Sequence, residues 1–247
     1  MNYTAVWAHR GASAYAPENT LSAFRLSALL GADGIELDVH LTKDGEVVVC
    51  HDAAINRTSD GEGVIEEMTL EELRQYSFGY PAAFRKRFED EKIATLGEVY
   101  KAMLPTGLVI NVELKRSLDG IVDKVLELEK QYGATGQVIY SSFVPEYLLE
   151  LKDKDPDCVI APLYGDDPEY LRLGEQFKAL ALHPSFAPVL ANPDYVKNAH
   201  EAGLRVHPYT PNSAEDIKAL MDAGVDAVIT NYPDRAVDIR TNILRRF

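Results

Sequence analysis

The sequence is poor in cysteine and in positive charge, and it has no long apolar run. Its 247 residues include two cysteines, and 39 acidic residues stand against 25 basic ones, which gives a formal net charge of −14. Cys50 and Cys158 lie inside apolar segments and are not at metal-ligand spacing from each other. We therefore expect two buried free thiols.

The missing features exclude several classes of partner. An excess of acidic residues repels nucleic acid and anionic membrane surfaces. No segment approaches the roughly 18 apolar residues that a membrane span requires, and the N-terminus has no basic segment followed by an apolar one. We expect a cytoplasmic protein without membrane insertion. The excess negative charge also repels phosphate esters, so an anionic substrate would have to be held by local cations.

The pattern of apolar residues predicts an α/β fold. Two strands are predicted at 4–8 and 34–39, and from Thr95 onward helical and strand patterns alternate. Six further strands follow, at 108–114, 137–140, 158–163, 179–182, 204–207 and 227–229. Eight strand and helix units close a (β/α)8 TIM barrel. We predict a single domain over residues 1–247, with a small inserted cap at about 53–94, after the second strand unit.

Three acidic residues are predicted to meet in the barrel. Glu36 and Asp38 share one face of the second strand, and Glu113 shares a face of the third strand with Lys115. Buried carboxylates repel one another unless a cation neutralises them, and oxygen ligands suit Mg²⁺ or Ca²⁺ better than Zn²⁺. The alternative is an ordinary ion pair at the rim, such as Glu113 with Lys115.

Two histidines follow predicted strands near these acids. His9 ends the first strand, and the Asp44-Gly45 hairpin turn signal returns His51 towards the second strand. An imidazole has an unperturbed pKa near 6.5, which suits a general acid and a general base at neutral pH. A lone histidine is more often structural, but two beside a metal site favour catalysis.

Other polar and aromatic residues end strands as well. Arg10 and Lys115 are the local cations that could grip a phosphate. Phe186 and Tyr209 could form an apolar wall for a glyceryl group, or simply pack at the rim. We expect Asn19 to cap the first helix. His183, His207 and Asn231 also follow strands, whereas His200 is predicted to lie on a helix surface.

These groups occur in an order that resembles one known family. The sequence reads His9-Arg10-Gly11, Glu18-Asn19-Thr20, Glu36-Leu37-Asp38, His51-Asp52 with Arg57-Thr58, and Glu113-Leu114-Lys115. In this order, and over the whole chain, it is similar to the glycerophosphodiester phosphodiesterase family, in which a small cap follows the His-Asp pair on a (β/α)8 barrel.

The resemblance implies metal-dependent hydrolysis of glycerophosphodiesters to glycerol 3-phosphate and an alcohol. It implies Glu36, Asp38 and Glu113 as metal ligands, His9 and His51 as the acid and base pair, and Arg10 and Lys115 as phosphate ligands. Two departures from the family pattern, Tyr209-Thr210 and Thr230-Asn231-Tyr232-Pro233, concern the distal wall and the headgroup preference. Two alternatives remain: a phosphodiesterase acting on intact phospholipids, and a non-catalytic phosphodiester-binding barrel.

Overall fold

The structure is a computed structural model that describes residues 3–245. Its strands are β1 (Ala5–His9), β2 (Gly34–Leu41), β3 (Val47–Val49), β4 (Val109–Leu114), β5 (Val138–Ser142), β6 (Ile160–Tyr164), β7 (Ala181–Pro184), β8 (Arg205–Val206) and β9 (Ala227–Thr230). Its helices are α1 (Leu21–Leu29), α2 (Leu70–Leu73), α3 (Pro81–Phe84), α4 (Leu96–Met103), α5 (Ile121–Tyr132), α6 (Pro145–Lys154), α7 (Tyr170–Phe177), α8 (Phe186–Ala191), α9 (Tyr195–Glu201), α10 (Ala214–Asp222) and α11 (Pro233–Leu244).

Eight of the strands are parallel and form a nearly closed barrel. Neighbouring strands follow the order β8-β7-β6-β5-β4-β2-β1-β9. The remaining gap, between β8 and β9, is spanned by backbone hydrogen bonds from Asp226 N to Val206 O and from Ile229 N to Pro208 O, both 3.0 Å long. The predicted (β/α)8 barrel is confirmed.

An extra strand sits on the end of β2. The β2 strand continues to Leu41, and its last residues pair antiparallel with β3, with Val39 opposite Val49. This is the hairpin that the Asp44-Gly45 turn predicts. It brings His51 back beside the carboxyl end of β2, because β3 ends two residues before it.

Alternation along the strands separates the core from the barrel interior. On β2, Ile35, Leu37 and Val39 are fully buried in the main cluster under the helices. Glu36 and Asp38 point to the opposite side, with 3% and 1% of their surfaces exposed. Side chains alternate between the two faces of a strand, so apolar packing outside fixes these acids inside.

The segment between β3 and α4 has its own small core. Its two 3₁₀ turns, Ile55–Arg57 and Ile65–Glu67, and helices α2 and α3 pack around a second apolar cluster. That cluster contains Val48, Cys50, Ile55, Ile65, Leu73, Phe78 and Ile93. Helix α4 then begins with a capping box, in which Thr95 and Glu98 satisfy each other's free backbone N–H groups. The insertion is therefore ordered by packing of its own.

The loop after β1 is shaped by one glycine. Gly11 has φ of +79°, and a Cβ placed there would lie 2.7 Å from Cβ of Ala23. Only glycine combines this conformation with such a close approach. The loop therefore packs tightly against α1, and it presents Arg10 and Glu18 at the carboxyl end of the barrel.

Candidate active site

Three carboxylates meet inside the barrel near the carboxyl ends of β2 and β4. Asp38 and Glu113 are register partners on these neighbouring strands, and Glu36 lies two residues before Asp38. One oxygen from each of the three side chains lies within 4.8 Å of the others. All three side chains are buried, so the cluster predicted from strand alternation is formed.

The pKa values of the three acids are shifted in different directions. Burial and the charges of Asp38 and Glu113 raise the pKa of Glu36 well above its usual value. Burial and the charge of Asp38 raise the pKa of Glu113 to about 7. Burial also disfavours ionisation of Asp38, but Lys115 and Arg10 outweigh it and lower the pKa of this group. The two neighbouring cations thus do not neutralise the whole cluster.

Two basic residues contact the acids. Lys115 places Nζ 2.9 Å from Asp38 Oδ1 and 2.5 Å from Glu113 Oε1. Arg10 donates its backbone N–H to Glu36 Oε2 at 2.9 Å, and its Nε lies 3.4 Å from Asp38 Oδ2. Both side chains also line the cavity described below. They are placed to reach a ligand and the acids at once.

His9 enters the site from β1. Its Nδ1 donates to Asn231 Oδ1 at 2.7 Å, and its Nε2 lies 3.9 Å from Glu36 Oε2. Burial and the charge of Arg10 lower the pKa of His9 to about 4. The hydrogen bond to Asn231 directs Nε2 towards the acids and the cavity.

His51 enters the site from the segment that follows β3. A carboxylate can only accept, so Nδ1 of His51 donates to Asp52 Oδ1, at 2.6 Å. Arg57 lowers the pKa of Asp52 to about 2 and keeps it ionised. The backbone carbonyl of His51 also accepts from Nε2 of His40, at 3.3 Å. The Nε2 of His51 is left to face the site.

One cavity of about 300 Å³ connects these groups. Its polar side contains both histidines, Arg10 and Lys115, and its apolar side contains Phe143, Leu163, Tyr209 and Ile229. The rings of Phe143 and Tyr209 meet edge to face with centroids 6.0 Å apart. Tyr209 thus lies where a wall was predicted.

Phe186 does not join this wall. Within the described residues, the cavity lining does not include Phe186, which begins α8 and packs against the cluster containing Val189 and Tyr195. Helix α8 was not predicted from the sequence.

Two polar residues of the site, Asn19 and Asn111, were not among the predicted metal ligands, catalytic residues or substrate ligands. Asn19 donates Nδ2 to Asp38 Oδ2 at 2.8 Å, while Thr20 is the residue that caps α1. The prediction of Asn19 as the cap is therefore wrong. Asn111 lines the cavity, and neither polar atom of its buried amide has a hydrogen-bond partner among residues 3–245. Its place on the polar face of β4 was a sequence signal for this position.

Two other strand-end histidines lie outside the site. His183 Nε2 and His207 Nδ1 are 3.1 Å apart, and both rings pack edge-on against Trp7 inside the barrel. Burial lowers the pKa of His183 to about 3 and that of His207 well below its usual value. These two neutral imidazoles belong to the packed interior.

The acid cluster fits a divalent cation. Glu36 Oε1 is buried and has no hydrogen-bond partner in the described part of the chain. The three buried carboxylates repel one another, which raises the pKa values of Glu36 and Glu113, so an added positive charge would stabilise the cluster. Its ligand atoms are all oxygens, and these suit a hard cation. The residues that are present would therefore hold a metal ion.

A site at the carboxyl ends of barrel strands defines a (β/α)8-barrel enzyme. Residues 9–235 match the model of the Glycerophosphoryl diester phosphodiesterase family. The chain belongs to this family. The sequence resemblance is thereby confirmed.

Individual relatives cover nearly the whole chain. The chain is 37% identical to a glycerophosphodiester phosphodiesterase of Caldanaerobacter subterraneus subsp. tengcongensis, over 96% of this chain and 97% of that protein. It is 35% identical to one of Bacillus altitudinis, over 96% and 98% of the two chains. A phosphodiesterase of Oleispira antarctica, solved in complex with the product sn-glycerol-3-phosphate, has a TM-score of 0.89, 29% identity and 96% coverage of both chains.

Within residues 3–245, no helix has both the length and the apolar character that crossing a bilayer requires.

Proposed function

We propose that this protein hydrolyses glycerophosphodiesters to sn-glycerol 3-phosphate and an alcohol. The observation that carries the proposal is the convergence of three acids, two cations and two imidazoles on one cavity. Membership of the family and similarity to a phosphodiesterase solved with sn-glycerol-3-phosphate support the same reaction.

Glu36, Asp38 and Glu113 would hold one divalent cation, Mg²⁺ or Ca²⁺. When bound, such an ion supplies positive charge that polarises phosphoryl oxygens and stabilises charge in the transition state. Asn19 supports this set by fixing Asp38 with two hydrogen bonds, one from its amide nitrogen and one to its amide oxygen. Asn19 therefore orients a metal ligand without binding the ion.

Arg10 and Lys115 bind the phosphodiester. Arg10 offers a planar set of donors and Lys115 a point charge, and they follow β1 and β4, the two strands that flank β2. Local cations of this kind are needed because the net charge of −14 repels an anionic substrate at long range.

His9 and His51 transfer the protons. Each ring is held through Nδ1, by Asn231 and by Asp52, so each reacts through Nε2. One imidazole takes the proton of the nucleophile, and the other gives a proton to the leaving alcohol. Water and the neighbouring glycerol hydroxyl are both suitable nucleophiles, and only the second gives a cyclic phosphate intermediate.

The apolar wall and the cap define the substrate. Phe143, Leu163 and Tyr209 would contact the parts of the substrate that do not react. A cavity of about 300 Å³ lies at the small end of ligand pockets, which favours a small glycerophosphodiester over a diacyl phospholipid. We further propose that residues 53–94 form a cap on a single catalytic domain.

The experiment is a panel of glycerophosphodiesters with choline, ethanolamine, glycerol and inositol headgroups. Each is incubated with Mg²⁺, with Ca²⁺ or with chelator, and sn-glycerol 3-phosphate is measured. We expect product with at least one headgroup in the presence of metal, and none with chelator. Absence of hydrolysis across the panel with either metal would contradict the proposal and favour a binding function.

A further inference from the structure

One arginine outside the cavity connects two functional groups inside it. Arg57 ends the first 3₁₀ turn of the cap, and within the described residues it is absent from the cavity lining. Its guanidinium forms two paired interactions at once, one with Glu18 and one with Asp52. Neither carboxylate belongs to the acid cluster, so these contacts are separate from the metal site.

The first pair leads to Arg10. Nη1 of Arg57 donates to Glu18 Oε2 at 2.7 Å, and Nη2 donates to Glu18 Oε1 at 2.8 Å. The same Glu18 Oε1 also accepts from Nη1 of Arg10, at 2.9 Å. Glu18 is thus held between the guanidinium groups of Arg57 and Arg10, and it fixes the side chain of Arg10, which would bind the phosphate.

The second pair leads to His51. Nε of Arg57 donates to Asp52 Oδ2 at 2.7 Å, and Nη2 donates to Asp52 Oδ1 at 3.1 Å. Asp52 Oδ1 is the atom that accepts from His51 Nδ1. The orientation of the imidazole therefore depends on a carboxylate that Arg57 holds with both oxygens.

Resting on the proposed function, we propose that Arg57 is a positioning residue, which aligns His51 through Asp52 and Arg10 through Glu18. The planar guanidinium group of Arg57 donates four hydrogen bonds to the two carboxylates. A lysine has one ammonium group and cannot reproduce this geometry. Because Arg57 belongs to the cap and its two partners belong to the barrel rim, the cap also contributes to the geometry of the site.

The structure offers a matched control in the same insertion. Arg74 has an exposed side-chain fraction of 38%, against 37% for Arg57, and it pairs with Glu98 at 2.6 Å. An exposed pair such as Arg74 with Glu98 contributes little to stability. Arg57→Ala removes contacts to two carboxylates, one of them on the 12%-exposed side chain of Glu18, so it should lower the melting temperature more than Arg74→Ala does.

The kinetic test compares Arg57→Ala, Arg57→Lys and Arg74→Ala in the metal-loaded protein. Supporting groups around an active site typically change activity by about 10–100-fold. We expect Arg57→Ala to lose kcat by this factor and to raise KM, Arg57→Lys to recover only part of the loss, and Arg74→Ala to match the unsubstituted protein. Millimolar guanidinium should restore activity to Arg57→Ala but not to a variant that also carries His51→Ala.

A spectroscopic measurement tests the same idea without turnover. In protein labelled with ¹⁵N at histidine, the Nδ1–H proton of His51 should give a downfield signal, identified by its loss in His51→Ala. We expect this signal to be retained in Arg74→Ala and lost or broadened in Arg57→Ala and Arg57→Lys.

The two measurements separate the possible failures. An unchanged His51 signal in Arg57→Ala, or kinetic constants within twofold of the unsubstituted protein, would overturn the positioning role. Full activity in Arg57→Lys would show that charge alone suffices and would also overturn it. If the unsubstituted protein hydrolyses nothing, the proposed function fails, while the signal still decides whether Arg57 orients His51.

Discussion

Asp38 and Glu113 lie opposite each other in the register of two adjacent parallel strands, and the ammonium of Lys115 contacts both carboxylates. This arrangement places one cation against two acids and leaves Glu36 Oε1 without a hydrogen-bond partner among residues 3–245. The cluster therefore has negative charge that Lys115 does not neutralise and a carboxylate oxygen that is free to bind a metal ion.

Replacing Glu113 by Gln should have opposite effects with and without metal. Without metal, Glu113→Gln removes like-charge repulsion in a buried cluster, and the melting temperature should stay the same or rise. With metal, the unsubstituted protein should be stabilised by about 2.7 kcal/mol when the ion is at 100 times its Kd. Glu113→Gln should lose most of that shift in a thermal melt. An equal metal shift in both proteins would remove Glu113 from the ligand set.

Removing the charge of Lys115 should separate metal binding from turnover. Lys115→Met leaves the three acids in place, so calorimetry should show metal binding that is as tight as before or tighter. The loss of one charge-stabilising group should lower kcat/KM by about 10²–10³. Lys43→Met, in the exposed hairpin turn, is the control and should change neither quantity. Weaker metal binding in Lys115→Met would contradict this division of roles.

The buried His183 and His207 pair should make the fold sensitive to mild acid. Burial lowers the pKa of His183 to about 3 and that of His207 well below its usual value, so as the pH falls the unfolded chain binds protons at both histidines before the folded protein does. Stability is then fully present above the unfolded pKa near 6.5 and falls as pH drops below it. The loss is about 1.4 kcal/mol per pH unit for each histidine.

The measurement is the free energy of unfolding in urea between pH 7.5 and about pH 5, compared between variants that share the raised pKa values of Glu36 and Glu113, so that the contribution of these carboxylates cancels. His183→Gln should reduce the slope by about one proton relative to the unsubstituted protein. His200→Gln is the control, since His200 is partly exposed and pairs with Asp226 on the outer surface. Equal slopes in the His183 variant and the unsubstituted protein would show that His183 does not titrate with unfolding.

Phe143 should act on substrate affinity and headgroup preference. Its side chain is half exposed at the mouth and packs edge-on against Tyr209. Phe143→Ala should raise KM several-fold with little change in kcat, because the contact is made equally in the ground state and the transition state. It should also change the ranking of headgroups. Leu149→Ala, a similarly exposed residue on α6, is the control, and a KM effect of equal size there would contradict the assignment.

The barrel and the acid cluster could be predicted because they depend on local periodicity. Alternation along β2 and β4 assigned Glu36, Asp38 and Glu113 to one interior, and the Asp44-Gly45 turn placed His51 beside them. These signals are set by two-residue spacing and by turn chemistry, which a single sequence contains.

Positions at the ends of elements could not be assigned from the sequence. Strand β7 continues to Pro184, past the predicted end at residue 182, and His183, whose role the sequence left open, is buried in the packed interior. Asn19 adopts φ of +61° and turns its amide to Asp38, which leaves Thr20 to cap α1. Tertiary contacts decide such positions, and no local pattern reports them.

The apolar wall was only half predicted for a similar reason. Tyr209 lines the cavity at the predicted position, whereas Phe143 and Leu163 come from the ends of β5 and β6, where the sequence reads as ordinary buried strand. Helix α8 has only six residues, and two of them are alanine and one is proline. Such a short segment has too little periodicity to predict the helix or the packing of Phe186.

The most direct test of the whole account is hydrolysis of a glycerophosphodiester by the His9→Ala and His51→Ala variants, with metal binding measured in parallel by calorimetry. Each substitution should lower kcat by about 10² or more while the acid cluster still binds one divalent cation. Near-normal formation of sn-glycerol 3-phosphate by both variants would contradict the assignment of these imidazoles as the acid and base pair.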